Sequence, residues 1–137
     1  MDKKFKDIMW CDMGWFSGTF YYGFAPNKKS WKRGVKKLGI KDSPYPKSAG
    51  RCTYFEQKGK RCCVVTIKDG LEKTYTPLEI SCLMMHEAVH VWQFFIEQIG
   101  EENPSPEFEA YSLQAITQEL LHKFETSRCL LKGCGSV

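Results

Sequence analysis

The stretch from Thr76 to Gly100 constrains everything around it. Thr76-Pro77-Leu78-Glu79 offers a capping hydroxyl, a proline at the first helical position and a glutamate placed to reach back to the cap, and Gly100 offers a stop. Between these signals almost every direction around a helix is apolar, with Ile80, Met84, Val91, Trp92 and Phe95 among the residues that surround it. Such a helix is buried rather than laid on a surface. One narrow stripe breaks the pattern: at about 100° per residue, Glu79, His86, His90, Gln93 and Glu97 project together. A buried helix carrying two histidines on its one polar stripe needs a partner for that stripe.

The stripe contains His86-Glu87-Ala88-Val89-His90. Residues four apart on a helix share a face one turn apart, so both imidazoles can bind one zinc ion while Glu87 sits beside the metal and holds a water. Hydrolysis of an amide asks for that grouping: the ion acidifies the water, the glutamate takes its proton, and the oxyanion forms against the metal. With three histidines in the chain, a shuffled sequence would show this pattern about one time in two hundred.

A catalytic zinc needs a third protein ligand and leaves one position for water. A second helix is expected from Ser105 as cap and Pro106 as first residue to about Arg128, with Ala110, Leu113, Ile116, Leu120 and Phe124 on its apolar face. Glu109 lies roughly 40° from the centre of that face and Glu107 roughly 120° away. Glu109 is therefore the expected ligand, since a buried carboxylate is costly unless it meets a cation. The competing reading of Glu109 is a first-turn acid that favours the helix dipole, and Glu107 is expected to support the helix N-terminus.

The first 75 residues read differently. Trp15 to Ala25 is expected as a strand or short hairpin, and a short helix capped by Ser30 carries Trp31, Val35 and Leu38 before Gly39. Residues 42–50 form a loop, followed by a hairpin of Arg51–Glu56 and Arg61–Asp69 around a turn at Gln57–Lys60. Residues 132–137 read as a frayed tail. This half holds seventeen Lys or Arg against seven Asp or Glu, whereas residues 76–137 hold three against nine, so a net charge of +4 hides a basic half and an acidic half. KKSWKRGVKK is the stretch that would serve a nucleic-acid face, against the plainer reading of a solvated basic helix.

At 137 residues, 42% of them hydrophobic, the chain suits one domain, with a β-rich basic half over 1–75 and a two-helix half over 76–137. No apolar run approaches the length of a membrane span or a signal peptide, so the expected setting is the cytoplasm with no membrane partner. Seven cysteines without a CxxC pair suggest reduced structural thiols, Cys129 and Cys134 being the one close pair.

HEAVH followed by a glutamate on the next helix resembles the gluzincin metallopeptidases, in which a gap of 18 residues, as between His90 and Glu109, is found. PSPEFEAYSLQ is similar to a segment of small metallopeptidases carried by phages and other mobile elements. Their Glu-x-x-Ala-x-x-Phe-Ala pattern aligns Glu107 and Ala110, with Leu113 as a departure, and keeps Glu107 as an alternative ligand. The resemblance covers roughly residues 51–128. It implies an α+β zincin-like domain, with an N-terminal antiparallel sheet and short helix ahead of the HExxH helix and a glutamate-bearing helix. It implies zinc on His86, His90 and Glu109, Glu87 as general base, and a peptide or protein substrate. An extended peptide would lie against a sheet edge, for which Cys62–Ile67 is the expected strand; Tyr111, Tyr75 and His122 are candidates to assist the oxyanion. The alternative is an inactive zincin-like binding or inhibitor protein acting on a host protein or a nucleic acid.

Overall fold

A mixed sheet with helices on both faces follows from where the apolar residues fall. The computed structural model describes residues 5–11, 13–14 and 20–132. Strands β1 (Met9–Cys11), β2 (Tyr21–Ala25), β3 (Gly50–Gln57) and β4 (Lys60–Ile67) stand in the order β1-β2-β4-β3. Helix α1 (Lys28–Lys37) lies between β2 and β3 in sequence, and α2 (Pro77–Ile99) and α3 (Pro106–Lys132) follow the sheet. Among the described residues, no helix is long and apolar enough to cross a membrane.

The α+β class holds, but the sheet is not antiparallel throughout. β1–β2 and β3–β4 pair antiparallel, while β2 and β4 run parallel, Tyr22 opposite Cys63 and Phe24 opposite Val65. The α1 excursion and β3 separate those two strands in sequence, which is the kind of long connection a parallel pair requires. β4 is buried at every position from Cys62 to Ile67 because it is paired on both sides and covered on both faces. It therefore cannot receive a peptide strand, contrary to expectation; the free edges belong to β1 and β3.

Alternation along the strands separates two cores. Phe24, Cys63, Val65 and Ile67 point toward α2 and α3, where they meet Met84, Phe95 and Leu120. Ile8, Ala25, Phe55 and Val64 point the other way and meet Trp31 and Val35 of α1. Each large apolar side chain so buried contributes about 1.5–3 kcal/mol.

Local chemistry sets the ends of the elements. In α2, Thr76 Oγ1 accepts from the Glu79 amide at 3.1 Å while the Thr76 amide donates to the Glu79 carboxylate at 2.8 Å, and Gly100 closes the helix at φ 72°. In α3, Ser105 Oγ accepts from the Phe108 amide at 3.1 Å. α1 starts one turn earlier than expected: Asn27, not Ser30, is the cap, and the Ser30 hydroxyl returns the bond to the Asn27 amide. The hairpin turn is Lys58-Gly59, both with positive φ, as a tight two-residue connection demands. The strand expected over Trp15–Ala25 is present as Tyr21–Ala25, and its first part, like the tail over 133–137, falls outside the described residues.

Candidate functional site

α2 turns its apolar arc inward and leaves its polar stripe outside. Ile80, Met84, Ala88, Val91 and Phe95 are buried, whereas Glu79, Cys82, His86 and Gln93 are exposed and His90 is half-buried. The His86 and His90 rings lie 4.9 Å apart, edge to face. The His90 Nδ1–H donates to Gln93 Oε1 at 2.9 Å. A carbonyl oxygen only accepts, so this bond puts the ring proton on Nδ1 and leaves the Nε2 lone pair directed away from it.

Glu87 points elsewhere, toward the sheet, and is only 3% exposed. It lies beneath the start of β3: a Cβ at Gly50 would come within 3.1 Å of Glu87 Oε2 and 3.0 Å of the Leu83 side chain. Glycine at 50 is what lets this carboxylate and the edge strand approach each other. Burial raises the Glu87 carboxyl above the ordinary range, and the positive fields of His86, His90 and Arg51 oppose it. Sequence reasoning missed Gly50 and Arg51, because only the β3–α2 packing brings them here.

Glu109 is the residue whose placement differs most from expectation. It is exposed, and its Oε2 accepts from the Trp92 indole N–H at 3.1 Å. Phe108 meets the same indole edge to face at 5.2 Å. Helical periodicity holds for the body of α3, where Ile116, Leu120 and Phe124 are buried, but the first turn projects past the core. There the inward direction leads to the polar edge of a tryptophan on the opposite side of α2 from the histidines. Glu107 is also exposed.

The structure thus brings His86, Glu87 and His90 together and does not bring Glu109 or Glu107 to them. Among the described residues, no three His, Cys, Asp or Glu side chains stand as a group able to hold a metal ion. The donor chemistry fits zinc in part: two imidazoles at helical spacing, one already oriented through its other nitrogen in the manner of a metal-binding histidine. The third donor is missing from that arrangement.

The residues considered for the oxyanion are dispersed. Tyr111 is 68% exposed, Tyr75 packs at the edge of the larger core, and His122 lines a shallow groove of about 1060 Å³ with Met85 and Val89. Cys11, Cys62 and Cys63 are buried free thiols, in keeping with a structural role; the Cys129 side chain and Cys134 lie outside the described residues. Comparison with models of protein families, with curated proteins and with solved structures finds no match to this chain.

Proposed function

We propose that the chain is a small zinc metallopeptidase, and the observation that carries this reading is the paired imidazoles of His86 and His90 with Glu87 buried beside them under an edge strand. A zinc ion bound there supplies an electrophile that acidifies water and draws charge from a peptide carbonyl. His86 and His90 hold the ion, and Gln93 fixes the His90 ring. Glu109 completes the ligand set on the strength of the gluzincin resemblance, giving up its bond to Trp92 to do so.

Glu87 is the general base. Its burial raises its affinity for a proton, which suits a carboxylate that must accept one from water and return it to the leaving amine. The free edge of β3 passes over Glu87 at Gly50, so an extended peptide added to that edge runs beside the histidines.

The test is Glu87→Gln, assayed with fluorescein-labelled casein and a quenched-peptide library. Hydrolysis is expected to fall about 10²–10⁴-fold while the metal content and fold persist. A variant as active as the parent removes Glu87 from the chemistry.

A further inference from the structure

The basic half of the chain is not used by this site. On the sheet face opposite α2 and α3, Lys28, Lys29, Lys32 and Lys36 cover the exposed side of α1, and Lys58 and Lys60 flank the hairpin tip. Asp7 engages Arg33 at 3.0 Å and Lys37 at 3.2 Å. Among the described residues, no acidic side chain pairs with the other six lysines. Gln57 Nε2 reaches the Gly39 carbonyl at 3.5 Å and holds the hairpin tip against the end of α1, so the two lysine groups form one surface.

Between them lie two adjoining grooves of about 290 and 240 Å³ that share Tyr21, Lys37 and Leu38. Lys58 and Lys60 rim the first, over Phe55. Trp10 lines the second and is 39% exposed, its ring 5.0 Å from that of Tyr21. Trp10 stands directly opposite Gly23 in the β1–β2 register, and a Cβ at Gly23 would meet the indole at 2.6 Å. The glycine lets the indole lie down on the sheet, where it stays accessible and fixed in place.

We infer that this face binds single-stranded nucleic acid, its bases stacking on Trp10 and Tyr21 and its phosphates meeting Lys58, Lys60 and the α1 lysines. Charge complementarity calls for a polyanion, and an accessible fixed indole beside grooves of this size calls for unpaired heterocycles. Duplex readout is disfavoured: the side chains that α1 exposes are mainly lysines, and its one arginine is held by Asp7. Because the half formed by residues 76–137 is acidic, the strand is confined to the α1 face. Binding here stands apart from the peptidase reading.

The experiment titrates the full chain by fluorescence anisotropy into labelled oligothymidylate and oligouridylate of about a dozen residues, with a duplex, heparin and anionic vesicles as comparison probes. Either single strand is expected to bind most tightly, the tighter of the two telling DNA from RNA. Three phosphate contacts predict a weakening of about 20-fold between about 50 and 200 mM salt. Trp10→Ala is expected to weaken binding roughly 5- to 100-fold at an unchanged salt slope. Lys58→Asn with Lys60→Gln, asparagine tolerating the positive φ at 58, is expected to flatten the slope at an unchanged melting temperature. Absence of binding at the lower salt, equal or tighter binding of duplex, heparin or vesicles, or indifference to both variants would overturn the inference.

Discussion

The two faces of the sheet are built on different principles. Toward α2 and α3, long helices meet Phe24, Cys63, Val65 and Ile67, and the polar stripe of α2 is turned outward. Toward α1, one ten-residue helix covers the sheet, fixed by Trp31, whose indole N–H donates to the Ser43 carbonyl at 2.9 Å and whose ring meets Tyr45 and Phe55. The first face has enough buried surface to hold a buried carboxylate in position. The second depends on a single anchor and leaves grooves at its margin. A sheet covered unequally thus separates rigidity on one side from accessible surface on the other.

The largest test of that contrast compares two truncations. Phe95→Ala removes a side chain 1% exposed from the larger core and is expected to cost about 4 kcal/mol in denaturant unfolding, since deletion of a buried aromatic leaves a cavity. Trp31→Ala is expected to cost about 3 kcal/mol, with a different signature in hydrogen exchange. Helix α1 loses protection in Trp31→Ala while α2 keeps it, because a ten-residue helix without its anchor opens separately from the rest. Equal loss of protection in both helices would show the faces to be one cooperative unit.

A smaller effect is expected at Gly34. A Cβ there would overlap the Ile8 side chain, so Gly34→Ala is expected to destabilise by about 1–3 kcal/mol despite the better helix propensity of alanine. A stabilised variant would mean that α1 rides more loosely on the sheet than its packing indicates. Smaller still, and of opposite sign, is Thr66→Val. The Thr66 hydroxyl is buried on the α1 face with no hydrogen-bond partner among the described residues, and its removal is expected to raise stability by about 1 kcal/mol. A loss of stability would show that the hydroxyl is satisfied in solution.

What was legible in the sequence follows the range of the interaction concerned. The ends of α2, the cap of α3 at Ser105 and the Lys58-Gly59 turn are local chemistry, and the residues that form them stand side by side in the chain. The three-residue β1 and the parallel β2–β4 pairing depend on segments far apart, and no short pattern encodes them. The placement of β4 had a usable signal: a continuous apolar run such as CCVVTI suits a strand covered on both faces, hence an interior one. At the α1 cap, Asn27 and Ser30 form a reciprocal pair in which serine takes the position more familiar for glutamate, and the pattern points to the wrong member.

The candidate site divides in the same way. His86, Glu87 and His90 share one helix, so their spacing alone fixes their relation. Glu109 belongs to another helix, and its periodicity gives a direction without saying where its neighbour ends. Glu109→Gln isolates the point, because an amide oxygen still accepts from Trp92 while the carboxylate ligand is lost. Zinc affinity is expected to fall at least about tenfold with the stability of the metal-free protein unchanged; unaltered affinity would leave Glu109 as a partner of Trp92 alone.

The most direct measurement is zinc content by elemental mass spectrometry on untagged protein, beside a His86→Ala, His90→Ala variant. The account predicts about one zinc per chain in the parent and none in the variant, both of them folded. A folded parent that neither carries zinc nor takes it up when supplied would contradict the metallopeptidase reading and return the two imidazoles to the surface chemistry of α2.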